Sequence, residues 1–232
     1  MNILITGASQ GIGFAVAEVF SKKGNQVWIT SRNEVRLYQA LETLQTKYPD
    51  TAFRAKAFDL SVKEQAIALG NWALGHGTPD ILVNNAGLFE PGNVTDEADG
   101  VLESQMATNL YSAYHLTRTI LPAMKERKQG FIFNICSVAG LQAYPGGGSY
   151  SISKFALNGF SQNLREELKP HGIKVAALFP GAVMTASWGD FDNSEKRIME
   201  ATDIAVLIET ATRLSDAACV ESIILRPQLG DL

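Results

Sequence analysis

Short apolar runs alternate along the chain with longer stretches in which apolar residues recur every three or four positions. The short runs are NILIT (2–6), QVWITS (26–31), AFRAKAF (52–58), DILVNN (80–85), GFIFNIC (130–136), IKVAALF (173–179) and SIILR (222–226), and their length and residue types predict strands. Stretches such as GFAVAEVFSKKG and VLESQMATNLYSAYHLTRTILPAMKE carry the spacing of amphipathic helices. ILVNN, FIFNIC and VAALF are almost continuously apolar, as strands covered on both faces tend to be. This alternation predicts an α/β fold: one doubly wound domain over residues 1–232, with a central parallel seven-stranded sheet flanked by helices on both faces. No Pro/Ser-rich linker, repeat or low-complexity segment divides it.

Residues 183–200, VMTASWGDFDNSEKRIME, break the alternation. They follow a Pro-Gly turn and mix Met184, Trp188 and Phe191 with charged residues; a small substrate lid and a surface helix hairpin both fit.

Composition narrows the function. With 46% hydrophobic and 19% charged residues among 232, the chain can bury a sizeable core. A net charge of −4 without a Lys/Arg block argues against a nucleic-acid or acidic-membrane surface. No window approaches the ~18 apolar residues of a membrane span. The start, MNILITG, lacks the regions of a signal peptide, so a cytoplasmic location is expected. Cys136 and Cys219 lie far apart, and His76, His115 and His171 are scattered; neither a disulfide framework nor a metal site is expected.

Candidate chemistry begins after the first run. TGASQGIG places Gly7, Gly11 and Gly13 between a strand and a helical pattern. Glycines there permit a tight turn and close backbone approach to a pyrophosphate, which the helix N-terminus then favours. The second run ends in TSRN, so Ser31 and Arg32 stand where an NAD-preferring dinucleotide fold places a carboxylate. A guanidinium can grip a 2′-phosphate, and NADP(H) is the expected cofactor. Further on, SYSISK sets Tyr150 and Lys154 one helical turn apart. By itself that spacing fits an ordinary surface pair as well as a phenol tuned by a cation.

Together these residues resemble the short-chain dehydrogenases/reductases, over essentially the whole chain. TGASQGIG (Gly7, Ser9, Gln10, Gly11, Ile12, Gly13) is similar to the family's cofactor loop, and Ser31, Arg32 and Asn33 stand at its ribose site. Asp59-Leu60 resembles its adenine contact, and NNAG, with Asn85, Ala86 and Gly87, resembles its sheet-stabilising motif. Pro180-Gly181, Val183 and Thr185 resemble the segment beside the nicotinamide carboxamide. Asn109, Ser137, Tyr150 and Lys154 match its catalytic tetrad.

The resemblance implies a Rossmann domain and an NADP(H)-dependent oxidoreductase that reduces a carbonyl to an alcohol, or the reverse. Tyr150 would be the general acid/base, and Lys154 and the oxidised nicotinamide would both lower its pKa. Lys154 would also hold the nicotinamide ribose, Ser137 the carbonyl oxygen, and Asn109 a water that relays protons to Lys154. No metal is required. Cys136, next to Ser137, should point to the opposite face and belong to the core. A homodimer or homotetramer is implied, through the long helix near 100–127 and the helix carrying Tyr150.

Gln10 departs from the basic residue of many NADP-preferring members, which leaves Arg32 as the main 2′-phosphate contact. The ending ESIILRPQLGDL also departs; with PGAVMTASWGD it is similar to bacterial sepiapterin reductases, the pterin-reducing branch. That likeness implies an aromatic wall from Trp188 or Phe191, and a carboxylate from Asp231 if the tail folds back over the pocket. A frayed, solvated terminus is the other reading of Asp231. Alternative activities are reduction of 3-oxoacyl thioesters or oxidation of secondary alcohols; the non-enzymatic alternative is an NADP-sensing binding protein.

Overall fold

The computed structural model describes residues 1–21 and 24–231. Seven strands form one sheet: β1 (Asn2–Thr6), β2 (Gln26–Thr30), β3 (Ala52–Ala55), β4 (Ile81–Asn84), β5 (Gly130–Ile135), β6 (Ile173–Pro180) and β7 (Ser222–Leu225). Their order is β3-β2-β1-β4-β5-β6-β7, and every neighbouring pair is parallel. The helices are α1 (Gly11–Ser21), α2 (Glu34–Lys47), α3 (Lys63–Leu74), α4 (Val101–Met106), α5 (Ser112–Arg127), α6 (Gly148–Leu168) and α7 (Ala201–Thr212).

Period-two alternation sorts each strand between two cores. Ile3, Ile5, Val27, Ile29, Ile81 and Val83 pack against α1, α2 and α7. Leu4, Trp28, Leu82 and Ile132 pack against α3, α5 and α6. Central strands are therefore apolar at nearly every position, which is why they read as continuous runs. The edge strands β3 and β7 instead alternate exposed and half-buried positions.

All seven expected strands form, with ends displaced by up to three residues. The largest displacement is in β3, which ends at Ala55 and not at 58. The chain beyond stays extended, with Lys56 N donating to Ile29 O (3.3 Å) and Phe58 N to Ser31 O (3.2 Å), but β2 has ended and offers no further ladder. After β3 the chain crosses back over β1 to β4, so strand order reverses there. In such sheets ligands bind at the carboxyl ends beside that switch point.

The segment 183–200 is no helix hairpin. Its base is closed by Met184 N donating to Met199 O (2.8 Å) and Met199 N to Ala182 O (3.1 Å), and a single 3-10 turn, Ala186–Trp188, stands within it. Among the described residues no helix is long and apolar enough to cross a membrane.

Candidate active site

A cleft of about 840 Å³ opens at the carboxyl ends of the strands. Its floor begins at the turn after β1, where Gly7 and Gly11 have φ of +63° and +58°, angles that favour glycine. Gly13 faces a tighter limit: a Cβ there would lie 2.5 Å from Asn85 Nδ2 and 2.6 Å from Gly7 O. Asn85 sets this spacing, because its Nδ2 donates to Thr6 O (2.9 Å) and Gly7 O (3.0 Å). Thr6 Oγ1 in turn accepts from Asn85 N and Ala86 N, both at 2.9 Å. The NNAG segment thus clips the ends of β1 and β4 together and leaves bare backbone at the start of α1, a shape that fits a pyrophosphate.

Ser137, Tyr150 and Lys154 line the same cleft. Lys154 is 5% exposed, and its Nζ donates to Ile135 O at 2.9 Å. Burial lowers its pKa from 10.5 to about 8. Its Nζ lies 5.7 Å from the centroid of the Tyr150 ring. Burial raises the Tyr150 phenol pKa, and the hydrogen bond with Ser137 lowers it only in part; of the two expected causes of lowering, Lys154 does not offset this burial, and the oxidised nicotinamide acts only when bound. The physical reason is that the Lys154 ammonium is directed at a carbonyl while the phenol loses water.

Asn109 is held by protein contacts. It lies, 1% exposed, in a π-helical turn (Ala107–Tyr111) between α4 and α5, a distortion often found at functional positions. Its Oδ1 accepts from Leu88 N (2.7 Å), and its Nδ2 donates to Leu88 O (2.9 Å) and Ser153 Oγ (2.8 Å). The side-chain amide is therefore occupied by protein and holds the 88 loop to α6. Cys136 is 2% exposed, packed with Leu157 and Phe179, and burial pushes its thiol up to about 11; it is a core residue and no thiolate.

The cleft brings together Gly7, Ser9, Gln10, Gly11, Ile12, Asn85 and Gly87 with Pro180, Gly181, Val183 and Thr185. Thr185 reaches the glycine loop itself: a Cβ at Gly11 would be 3.2 Å from its Cγ2. Seven expected cofactor residues lie off the cleft wall: Gly13 and Ala86, beside the glycine loop, and five along the carboxyl ends of β2 and β3. Ser31 is buried with Oγ on Asn33 O (3.2 Å), and Asn33 caps α2 through Arg36 N (2.9 Å). Arg32 is exposed, with no hydrogen bond or ion pair among the described residues. Asp59 accepts from Ser61 N (3.1 Å) and Ser61 Oγ (2.6 Å). Leu60 is 7% exposed and its side chain belongs to the core, so only its backbone can meet a ligand.

The tail folds back over the cleft. Arg197 Nη1 donates to Gly230 O (2.9 Å) and Nη2 to Asp231 O (3.3 Å), tying residues 183–200 to the chain end. Asp231 lines the cleft and comes so close to Gly181 that a Cβ there would meet its Oδ1 at 2.3 Å. Its carboxylate is not free for a ligand, however, because it is ion-paired with Arg226. Trp188 lines the cleft as expected; Phe191 does not, and instead backs Trp188 with ring centroids 5.2 Å apart.

Several cleft residues escape a reading of the sequence. Phe89 lies edge-on to Tyr150, with centroids 4.8 Å apart and planes at 78°. Its loop is stapled to α6: Gly92 N donates to Gly146 O (3.0 Å), Gly146 N to Asn93 Oδ1 (3.1 Å), and Ser149 N and Oγ to the Glu97 carboxylate. α6 has no side-chain cap of its own, so Glu97 supplies one from a distant loop, one residue before Tyr150. Tyr144, Gln142 and Arg226 complete the group. The position of Phe89, two residues past NNAG, was the only available signal.

A Rossmann sheet with a glycine loop, a capped tyrosine helix and a buried lysine in one cleft defines a dinucleotide-dependent oxidoreductase class. The chain belongs to the short chain dehydrogenase family, whose model matches residues 1–196. It is 30% identical over 225 residues to an uncharacterized oxidoreductase of Staphylococcus saprophyticus, covering 97% of this chain and 96% of that one. Among solved structures it is similar to a metagenomic short-chain oxidoreductase in complex with NADP, at 30% identity and TM-score 0.86, covering 98% and 97% of the two chains. A short-chain dehydrogenase from Sphingobium yanoikuyae in complex with NADPH superposes with TM-score 0.84 at 29% identity, covering 96% and 87%.

Proposed function

We propose that the protein is an NADPH-dependent carbonyl reductase in which Tyr150 is the general acid/base. The observation that carries this reading is the meeting of Ser137, Tyr150 and Lys154 in the cleft that starts at the glycine loop. NADPH, when bound, supplies the hydride for the carbonyl carbon. Gly7 to Gly13 and the start of α1 receive the pyrophosphate, Arg32 the 2′-phosphate, and Asp59 with the Leu60 backbone the adenine. Val183, Thr185 and the Pro180-Gly181 turn border the carboxamide, and Tyr150 and Lys154 the nicotinamide ribose.

Ser137 donates to the carbonyl oxygen as charge develops there. Tyr150 gives that oxygen its proton, completing an alcohol. A phenol raised by burial stays protonated at neutral pH, which suits the reductive direction. Lys154, at about 8, can exchange a proton near working pH and so replenish the tyrosine. The direct test is NADPH oxidation with pterins, diketones, aryl ketones and acetoacetyl thioesters. Turnover abolished by Ser137→Ala supports the reading; an NADP-sensing protein would bind NADPH and oxidise it with none of them.

A pterin such as sepiapterin is the second reading; it is supported by the return of Asp231 to the cleft and requires that carboxylate to leave Arg226. Reduction of 3-oxoacyl thioesters and oxidation of secondary alcohols remain alternatives. We further propose a cytoplasmic homodimer or homotetramer. The exposed Tyr111, Ile152 and Phe155, at 48%, 42% and 44%, lie on the π turn and α6 and offer an apolar surface to a second copy, which light scattering would read.

A further inference from the structure

We propose that the site selects an uncharged carbonyl compound bearing a flat aryl or heteroaryl group, and that Phe89 is the specificity residue that receives it. This rests on the reductase reading above.

Charge supplies the first argument. The charged side chains on the cleft wall, among the described residues, are Lys154, Arg226 and Asp231. Lys154 is buried and bonded to Ile135 O, while Arg226 and Asp231 are closed on one another. No unpaired cation waits for a substrate carboxylate or phosphate, and an anion entering here would have to break an existing ion pair or go unpaired. An unpaired anion gives up hydration at the apolar wall, whereas breaking the half-exposed Arg226–Asp231 pair costs less and leaves Asp231 without its cation.

Shape supplies the second. The apolar part of the cleft wall includes Leu88, Phe89, Val138, Ala143, Tyr144 and Trp188, and Phe89 lies edge-on to the Tyr150 ring. Phe89 and Tyr144 keep 46% and 43% of their surface open. If Phe89 served only to pack Tyr150, the loop would gain by burying it further. Instead the loop holds it open by fixed bonds: Asn109 at Leu88, Gln105 Nε2 on Glu90 O (3.1 Å), and Glu97 at Ser149. An aromatic face presented rigidly beside the proton donor is preorganised for a flat apolar group, which aromatic pairing favours beyond area alone.

The test uses three matched α-oxo compounds with NADPH: methyl benzoylformate, its free acid, and the cyclohexyl counterpart of the ester. In the parent the aryl ester should exceed the acid in kcat/KM by at least about tenfold, the discrimination expected from an anion without a partner. Phe89→Ala should lower the aryl-over-cyclohexyl preference by about 3- to 10-fold. Taking a ratio cancels any effect of the substitution on Tyr150 itself. Phe89→Leu, which keeps an apolar side chain but loses the ring, should move the ratio the same way if the alanine variant does not fold. Equal or better turnover of the acid, or an unmoved ratio in both variants, overturns the inference while leaving the reductase reading intact. Turnover of none of the three overturns the inference and, if no other carbonyl is reduced, the reductase reading with it.

Discussion

Lys154→Met should make the protein inactive and, at neutral pH, no less stable. The side chain is 5% exposed, and its pKa falls from 10.5 in water to about 8 in the fold. At ~1.4 kcal/mol per pH unit, holding that ammonium in the fold costs about 3 kcal/mol at pH 7. Methionine removes the cost but leaves Ile135 O without its 2.9 Å donor, a loss of about 1–3 kcal/mol. The net lies between about 0 and 2 kcal/mol in favour of the variant.

The pH dependence isolates the cause. A base whose folded pKa is depressed destabilises fully below that pKa, and the penalty fades as pH rises from about 8 toward the unfolded 10.5. Between pH 7 and 9.5 the parent should therefore gain about 2 kcal/mol on the variant. For a chain of this size that moves the difference in Tm by about 4–8 °C toward the parent. Paired thermal melts across this range read it directly, since titrating groups not coupled to Lys154 cancel and the coupled Cys136 thiol, raised to about 11, stays largely protonated in the fold. A Tm difference that stays constant with pH would refute the claim that Lys154 is held against its own charge.

Arg32→Ala should weaken NADPH by roughly one to two decades relative to NADH, the ~1.5–3 kcal/mol of a charge-assisted bond to the 2′-phosphate; equal weakening of both cofactors in titrations contradicts that role. Glu97→Ala should reduce kcat several-fold with little change in the KM for NADPH, and Glu97→Gln, which keeps an acceptor for Ser149, should restore most of it; equal loss in both variants would mean that the Ser149 bonds are not what positions Tyr150. Asp231→Asn should slow sepiapterin turnover if the carboxylate leaves Arg226 to bind the pterin, and no turnover of sepiapterin by the parent ends that reading.

Strand positions were legible because both faces of the sheet are covered, so burial writes itself into runs such as ILVNN and FIFNIC. Ser137, Tyr150 and Lys154 were legible through the resemblance to the short-chain dehydrogenases/reductases, since the spacing of Tyr150 and Lys154 alone fits a surface pair equally well, and Ser137 lies two residues beyond the end of β5. Phe89 and Glu97 were not. They belong to a loop without periodicity, and Glu97 finds its partner 52 residues away in Ser149. The sequence left Asp231 between a ligand carboxylate and a frayed terminus, because nothing in ESIILRPQLGDL reveals that Arg226 turns back to meet it. The Tyr150 pKa was expected to fall through Lys154 and the oxidised nicotinamide together; the proximity of Lys154 is visible in the spacing, whereas burial of the phenol and the direction of the ammonium are not. Local pattern carries elements and motifs; contacts between distant loops depend on the assembled fold.

The central claim, that Tyr150 delivers the proton to the reduced carbonyl, is tested most directly by Tyr150→Phe. The ring and its edge contact with Phe89 are retained, and only the hydroxyl is lost. Turnover with the best carbonyl substrate should fall by at least about 10²-fold, within the ~10²–10⁴ of general acid/base groups, while NADPH still binds. A variant that keeps more than about a tenth of the parent rate, well above the smallest loss such a group produces, would contradict the account.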